Sequence, residues 1–472
     1  MTDQPWAGDA SSLVEAFRNR SISPAEALEL TYAAIDRSRL NAFSYLDQDA
    51  ARQAAEKADV SLPFGGVPIG VKVLDPVKGW PYTEASLVFA DRLADHSSTM
   101  VERLRAAGAV LAGQTTASEF GGINYTSTKL SGTTRNPWDL ERTPGGSSGG
   151  TAAAVAGGLI PIGTAGDGGG SIRLPAGFTG TFGFKSTFGR IPKGPKAQQP
   201  PLTVVLGCIS RSVRDTARWF DVCNGYDSRD TLSLPRTEGW ERGLGTHFDE
   251  LRGMRAAIHV DLGAAFVSAE CARVVVAGAE ALMRDAGLER VDMVVSLPRA
   301  GFEWAMGNLV LLKAALGDLY PECADQLTGE IQFGMNVAES HYDLKTAANV
   351  ERFRTGVNEA MADVFDQVDF VFAATNPDVA FDAAGPMPTK VGDRDLVKEF
   401  GLEVALGNNG ALTMPANLAG NPAVNIPAGE VGGLPVGMQV IGRHHEEELL
   451  LDLALIAERE RPWPLVVPGS PI

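Results

Sequence analysis

Glycine is concentrated in one short segment of this chain, and that segment limits the possible folds and functions most strongly. Eleven of the 53 glycines lie within residues 145–170, and Asp167 is the single charged residue between positions 144 and 172. Glycine lets a backbone approach a ligand closely, adopt positive φ and leave its N–H groups pointing outward. A small-residue helix at 151–158 packed against a sheet would explain the paired alanines and glycines. It explains poorly the serines that stand among the glycines, at positions 147, 148 and 171.

Two nucleotide-binding motifs do not fit this segment, and a third motif fits loosely. A phosphate-binding loop requires Gly-Lys-Ser/Thr after four variable residues, but the nearest candidate has Phe184 where the second glycine belongs. A dinucleotide fingerprint needs a preceding strand and a following acidic residue, which the sequence does not supply. Residues 145–149 match the GxSxG pattern of a nucleophile elbow, but residues 139–144 do not resemble the buried strand that precedes an elbow. A Ser-His-Asp esterase built on Ser147 is therefore a disfavoured alternative.

A lysine stands inside an apolar run that is typical of a buried strand. The run Ile-Gly-Val-Lys-Val-Leu occupies residues 69–74 and follows a turn with two glycines and a proline. An ammonium group there would be poorly solvated, so the pKa of Lys72 should fall and a neutral amine become accessible. Lys72 is therefore a candidate base for a serine nucleophile.

Composition and charge exclude several classes of protein. A hydrophobic share of 44% and a charged share of 21% are those of an ordinary globular chain. The net charge of −17 at pH 7 argues against nucleic acid or an anionic membrane as main partner, since both need a basic face. The four cysteines are widely spaced, so neither a structural metal nor a disulfide scaffold is expected. The sequence has no signal-peptide pattern and no long apolar stretch, which favours a cytoplasmic location.

Short apolar runs alternate with amphipathic stretches, which predicts an α/β layered fold. The first 60 residues are predicted to be mainly helical, with a capping box formed by Ser23 and Glu26. Strands are predicted at 69–74, 109–112, 255–260, 291–296, 370–374 and 434–442. Helices are predicted at 100–107, 151–158, 267–286, 347–364 and 446–459. Neither an internal repeat nor a long linker is evident, which indicates a single unit over residues 1–472.

Taken together, the glycine and serine motifs resemble those of the amidase signature family of Ser-Ser-Lys hydrolases. The resemblance rests on Pro-Gly-Gly-Ser-Ser-Gly-Gly at 144–150 and on Gly-Asp-Gly-Gly-Gly-Ser-Ile-Arg-Leu-Pro-Ala at 166–176. Further motifs agree at 66–72, 136–139, 183–185, 209–213, 417–423 and 433–439. The spacing from the lysine to the first serine and on to the second, 75 and 24 residues, also matches. The resemblance covers about residues 10–460 and implies the family's fold, a large mixed central β-sheet covered by helices on both faces.

The resemblance also divides the single unit into parts. These are an N-terminal helical part at 1–60, a catalytic signature core at 61–220, a variable substrate-pocket part at 225–400 and a C-terminal part of the core sheet at 401–472. The variable part carries the fewest recognisable signals. Its aromatic residues are interpreted mostly as ordinary core or surface residues, and include Phe302, Trp304, Tyr320 and Phe333.

Individual residues receive implied roles from the resemblance. Ser171 corresponds to the serine that attacks the acyl carbon, Ser147 to a bridging serine that follows a cis peptide bond, and Lys72 to the base that draws a proton through Ser147. Such a relay activates a hydroxyl that is otherwise a poor nucleophile. The implied oxyanion hole consists of the backbone N–H groups of Gly168, Gly169, Gly170 and Ser171. Substrate contacts are implied for Gly121 and Ser147, and supporting roles for Ser148, Asp167 and Arg173.

This sequence departs from the usual family pattern at two places. Val73 follows Lys72 where an Asp is common, and the loss of that carboxylate is expected to favour the neutral amine. Gly166 and Gly168 stand in place of larger residues. They are expected to open space near the nucleophile for a bulkier or more rigid acyl group.

Hydrolysis of a carboxamide C–N bond through an acyl-enzyme is the implied reaction, with a small-molecule substrate and neither metal nor organic cofactor. Hydrolysis of carbamates (urethanes) or of cyclic or oligomeric amides is an alternative, because only the pocket, formed by residues such as 121–127 and 300–340, would select among them. A component that liberates ammonia for an amidotransferase is less favoured, as is a protein that uses the fold for binding alone. No nucleic-acid or membrane partner is expected, and a homodimer is one assembly that the sequence leaves open.

Overall fold

The structure of the protein is a computed structural model that describes residues 5–197 and 202–470. Its strands are β1 (Phe43–Tyr45), β2 (Pro68–Lys72), β3 (Val110–Thr115), β4 (Ser127–Thr128), β5 (Gly132–Thr133), β6 (Ile162–Asp167), β7 (Phe182–Lys185), β8 (Val205–Ser210), β9 (Arg255–Ile258), β10 (Glu289–Arg290), β11 (Phe370–Ala374), β12 (Lys390–Val391), β13 (Arg394–Asp395), β14 (Ala423–Val431) and β15 (Leu434–Gly442). Its α-helices are α1 (Ala10–Arg18), α2 (Pro24–Arg37), α3 (Gln48–Glu56), α4 (Thr99–Ala106), α5 (Gly149–Ala156), α6 (Arg173–Thr179), α7 (Val213–Cys223), α8 (Phe248–Leu251), α9 (Ala269–Ala286), α10 (Gly301–Leu316), α11 (Gly329–His341), α12 (Leu344–Phe365), α13 (Leu396–Phe400), α14 (Leu402–Gly407), α15 (Met414–Ala419) and α16 (Glu447–Glu460).

Within the described residues, eleven strands form one mixed sheet in the order β1-β3-β2-β6-β8-β7-β14-β15-β11-β9-β10. Strand β2 pairs in parallel with β3 and β6, and β9 pairs in parallel with β10 and β11. The remaining pairs are antiparallel, with β14 and β15 forming the longest ladder. The large mixed sheet that the resemblance implies is therefore present.

Helices cover both faces of this sheet, as two neighbouring residues of β15 demonstrate. Successive side chains of a strand point to opposite faces. A Cβ at Gly437 would lie 2.8 Å from the Cα of Gly177 in α6, whereas a Cβ at Gly278 in α9 would lie 3.7 Å from the sulfur of Met438. Helices α6 and α9 therefore pack on opposite faces, which confirms the predicted α/β/α arrangement.

Most of the elements predicted from apolar patterns are observed. The strands at 370–374 and 434–442 have the predicted bounds, and each predicted helix is observed with its ends within three residues of the prediction. The capping box of Ser23 and Glu26 is formed at the start of α2. No helix among the described residues combines the length and the apolarity that crossing a lipid bilayer requires.

The predicted strand at 291–296 is wrong, because its partner strand ends too early. The chain pairs with β9 at Glu289 and Arg290, and the N–H of Val291 still donates to the carbonyl of Ala256. Beyond this point β9 itself stops at Ile258. Residues 291–296 therefore continue without a regular ladder, although Val295 is buried as the apolar pattern requires.

Parallel pairing brings the ends of β2 and β6 to one edge of the sheet. Gly70 of β2 faces Gly163 of β6, so both strands run toward the same edge. Strand β2 ends there with Lys72, and β6 ends with Asp167, directly before the glycines that lead to Ser171. Side chains beyond the carboxyl ends of parallel strands are well placed to form a site.

Candidate active site

Lys72 occupies the end of β2 and contacts Ser147 and Ser148. Its side chain is 2% exposed, and its Nζ lies 2.8 Å from the Oγ of Ser147 and 2.8 Å from the Oγ of Ser148. Burial penalises the ammonium form and lowers the pKa of Lys72 to about 8, against the opposing charges of Asp75 and Asp167. The prediction of a buried lysine with a lowered pKa is confirmed, and its neutral form becomes accessible near physiological pH.

A carboxylate stands near Lys72 even though Val73 occupies the position where the family commonly has Asp. Asp75 is buried three residues further on, where its N–H donates to the carbonyl of Lys72 over 2.7 Å. Its Oδ2 accepts a 2.5 Å hydrogen bond from the Oγ1 of Thr164, which in turn accepts the N–H of Lys72 at 2.8 Å. Burial raises the pKa of Asp75, and the neighbouring Lys72 opposes that rise. Asp75 thus supplies a negative charge near Lys72 that Val73 does not.

Ser147 lies between Lys72 and the backbone of residues 118–121. The peptide bond between Gly146 and Ser147 is cis, as the resemblance implies. The carbonyl of Ser147 accepts the N–H of Ser118, and a Cβ at Gly121 would lie 3.4 Å from the Oγ of Ser147. Gly121, for which the resemblance implies a substrate contact, therefore lies directly beside Ser147.

Close packing explains some glycines of the segment without reference to a ligand. Helix α5 begins immediately after Ser148, and the N–H of Gly150 donates to the carbonyl of Thr116 at the end of β3. A Cβ at Gly150 would lie 2.4 Å from the nitrogen and from the oxygen of Thr116. Glycine is required there so that α5 can approach the strand end and present Ser147 and Ser148 to Lys72.

The segment that we call the glycine loop, Gly168, Gly169, Gly170 and Ser171, has each of its first three carbonyls occupied. They accept hydrogen bonds from the indole Nε1 of Trp304 (2.7 Å), the Oγ1 of Thr413 (2.6 Å) and the N–H of Leu174 (2.7 Å), respectively. The N–H of Gly170 donates to the Oδ1 of Asp167 at 2.7 Å. Within the described residues, no hydrogen bond uses the N–H of Gly168, Gly169 or Ser171. These three donors are available to a bound group.

A buried ion pair fixes the base of the glycine loop. Asp167 and Arg173 are both fully buried and form two hydrogen bonds of 3.0 Å. Burial alone would raise the pKa of Asp167, but the guanidinium of Arg173 and the amide of Asn417 bring it down to about 2. Asn417 also accepts a 2.7 Å hydrogen bond from Arg173. The base of the glycine loop is therefore held by charge-assisted hydrogen bonds from Arg173 to Asp167 and from Arg173 to Asn417.

The two unusual glycines differ in whether an added Cβ would fit. A Cβ at Gly166 would have its nearest neighbour 3.8 Å away, so there is room for a side chain. A Cβ at Gly168 would lie 3.0 Å from the Cγ2 of Val204. The volume beside Gly168 is therefore occupied by Val204 and is not open to an acyl group.

Two residues around the glycine loop were not identified by sequence reasoning. Trp304, interpreted as an ordinary aromatic residue of the variable part, contacts the loop directly. Thr413 bonds the loop from a position 244 residues away in sequence. Neither carries a local signal of its role, whereas Asn417 belongs to a motif already noted at 417–423.

A family model described as Amidase matches residues 26–451. The chain belongs to the amidase signature family. The resemblance inferred from the glycine and serine motifs is thereby confirmed, and the family's fold accounts for the mixed sheet.

Named relatives in the family differ in activity. The chain is 30% identical, over 97% of its length and 98% of the relative, to one of the subunits of the glutamyl-tRNA(Gln) amidotransferase of Lacticaseibacillus paracasei. Among solved structures, it matches a bacterial aryl acylamidase of this family with a TM-score of 0.87 and 27% identity, covering 97% of this chain and 96% of that one. It matches 6-aminohexanoate cyclic dimer hydrolase with a TM-score of 0.85 and 27% identity, covering 99% and 100%.

Proposed function

We propose that the protein hydrolyses a carboxamide C–N bond through an acyl-enzyme on Ser171. The observation that carries this proposal is the 2.8 Å hydrogen bond between the Nζ of Lys72 and the Oγ of Ser147, made by a lysine that burial has brought to a pKa of about 8. A neutral amine in this position can accept a proton that a water-exposed lysine could not.

The proposed reaction passes one proton forward and then back. As the Oγ of Ser171 attacks the acyl carbon, its proton moves to Ser147 and the proton of Ser147 moves to Lys72. Lys72 returns the proton through Ser147 to the leaving nitrogen, the C–N bond breaks, and the acyl group remains on Ser171 as an ester. Water then attacks this ester by the same relay and releases the carboxylic acid. General acid-base catalysis of this kind contributes roughly a hundredfold to ten-thousandfold in rate.

The N–H groups of Gly168, Gly169 and Ser171 are the donors that we assign to the oxyanion of the tetrahedral intermediate. They are free of other partners among the described residues, whereas the N–H of Gly170 donates to Asp167. We therefore propose that Gly170 shapes the loop and does not contact the oxyanion. Asp167 and Arg173 support the same loop, and Ser148 holds Lys72 beside Ser147.

An uncharged, largely apolar substrate is the class that the surroundings favour. Helix α10 places Trp304 against the glycine loop, and residues 304–312 of this helix contain no charged side chain. Most of these side chains are only partly buried, so an apolar ligand could cover them. Similarity to an aryl acylamidase and to 6-aminohexanoate cyclic dimer hydrolase agrees with aryl or oligomeric amides. Carbamates remain the chemically closest alternative.

Labelling of the nucleophile tests the proposed reaction. A fluorophosphonate should modify Ser171, and Ser171→Ala and Lys72→Ala should each lower the turnover of a small aryl amide by roughly a thousandfold or more, because the two residues act as one unit. Ser340→Ala, at an exposed serine of α11, is the control and should retain full activity. Labelling at Ser147 would instead revive the esterase alternative, and near-normal turnover by Ser171→Ala would contradict the acyl-enzyme.

A component of an amidotransferase is the second candidate, favoured by the 30% identity to such a relative over nearly the whole chain. Activity assays of the purified chain alone distinguish a hydrolase from a component of an amidotransferase. A hydrolase should turn over aryl amides without added partner proteins and should release ammonia from glutamine more slowly. Activity confined to glutamine, and dependent on the added partners of an amidotransferase, would favour the second candidate.

A further inference from the structure

Trp304 of the variable part contacts the glycine loop directly. Its indole Nε1 donates a 2.7 Å hydrogen bond to the carbonyl of Gly168 across 136 residues of sequence. Its ring also lies against the next residue, since a Cβ at Gly169 would be 2.8 Å from the Cζ2 and 2.9 Å from the Cε2 of the indole. One side chain thus fixes both the direction of a carbonyl and the position of the neighbouring Cα.

Peptide geometry converts this contact into the orientation of a donor. In a planar trans peptide, the C=O of one residue and the N–H of the next point in opposite directions. When Trp304 holds the carbonyl of Gly168, the N–H of Gly169 must point away from the indole. The same rule applies to the next peptide, where Thr413 holds the carbonyl of Gly169 and the N–H of Gly170 turns to Asp167.

We infer that Trp304 is a positioning residue for the oxyanion hole, which it serves by holding the Gly169 N–H in the direction of the developing negative charge. The inference rests on the proposed function of the site. Trp304 belongs to α10, so the helix that faces the substrate also sets the geometry of the donor.

The inference separates two roles that an aromatic residue beside a site can have. A residue that only forms the wall of the pocket contributes equally to ground-state and transition-state binding, and its loss raises KM. A residue that aims an oxyanion donor contributes only when the tetrahedral intermediate forms, and its loss lowers kcat. The change in kcat relative to the change in KM therefore distinguishes a residue that positions the donor from one that only forms the wall of the pocket.

Trp304→Phe tests the inference, because phenylalanine keeps an aromatic ring and lacks the N–H donor. We expect kcat for a small aryl amide to fall roughly tenfold to a hundredfold, with KM changed by less than about threefold. A trifluoromethyl ketone analogue, which forms a tetrahedral adduct with the nucleophile, should bind more weakly by the same factor as kcat/KM falls. Trp240→Phe is the matched control, since its buried indole also donates to a carbonyl, that of Thr237, away from the glycine loop.

A second variant keeps the test decisive if the smaller ring disturbs folding. Benzothienylalanine at position 304 preserves the shape of the indole and removes only the donor, and it should reproduce the loss of kcat with an unchanged melting temperature. An unchanged kcat with a raised KM would overturn the positioning role and leave Trp304 as a wall of the pocket. A wild-type protein that is inactive on amides and is not labelled at Ser171 would overturn the proposed function, and this inference with it.

Discussion

Lys72 must be neutral to accept a proton, and its surroundings decide at which pH it becomes so. Burial at the end of β2 favours the neutral amine and lowers its pKa to about 8, whereas the carboxylates of Asp75 and Asp167 favour the ammonium. The carboxylate of Asp167 is already engaged by Arg173. Asp75 is therefore the neighbour whose charge most directly tunes the proposed base.

Asp75→Asn should move the acid limb of the pH profile to lower pH. The neutral lysine is the active form, so kcat/KM rises as the pH increases through the pKa of Lys72. Removing the Asp75 charge withdraws stabilisation from the ammonium, so the pKa falls and the midpoint should move down by roughly one pH unit. The measurement is kcat/KM for an aryl amide at about ten pH values between pH 5 and pH 10.

Asp230→Asn is the control for this profile. Asp230 is also buried, but its carboxylate accepts the N–H of Lys193 and is not among the charges that act on Lys72. Its removal should leave the midpoint in place. An identical profile for Asp75→Asn and the wild type would mean that Asp75 serves only to hold the turn after β2.

At the scale of the elements, the glycine loop depends on the absence of side chains at chosen positions. Gly169→Ala would place a Cβ within van der Waals overlap of the Trp304 indole, so either the helix or the loop must move. We expect turnover to fall by about a hundredfold to a thousandfold, the loss typical of one oxyanion donor, while the far-ultraviolet circular dichroism stays unchanged.

Gly356→Ala gives the matched comparison for that substitution. Gly356 lies in α12, has no atom within 4 Å of an added Cβ and does not require positive φ. Alanine should therefore be neutral or slightly stabilising there, by up to about 1 kcal/mol, with normal turnover. Equal activity of the two variants would show that the contact between Gly169 and Trp304 has no catalytic consequence.

Two strands with continuous apolar runs could be predicted with their bounds, whereas strand β6, which is made mainly of small residues, could not. The predictions at 370–374 and 434–442 were correct because each run is buried on both sides. Strand β6 was not predicted, because Ile162–Asp167 contains two glycines and its sequence cannot be distinguished from the rest of the glycine-rich segment. The same loss of signal hid the parallel pairing of β2 and β6, which brings Lys72 and the glycine loop together.

For the molecule as a whole, the candidate site residues that could be named from the sequence are those within motifs of fixed spacing. Lys72, Ser147 and Ser171 were named because their local sequences are distinctive. Trp304 and Thr413 could not be named, since their roles arise from hydrogen bonds that span 136 and 244 residues. Such contacts are created by the packing of Trp304 of α10 and of Thr413 against the glycine loop, and no local pattern encodes them.

Arg211 connects the N-terminal segment to this sheet, and its removal should lower the stability of the whole molecule. The guanidinium is buried and donates to four carbonyls, those of Trp6, Gly8, Val155 and Ile160. Burial lowers its pKa to about 10, so it stays charged at neutral pH. Arg211→Met would leave these acceptors unsatisfied and should reduce the free energy of unfolding by about 3 kcal/mol or more.

Urea denaturation measures this loss of stability. The control is Arg229→Met, at an exposed arginine, which should change the free energy of unfolding by less than about 0.5 kcal/mol. Equal midpoints for the two variants would mean that the N-terminal segment contributes little to the cooperative unfolding of the chain.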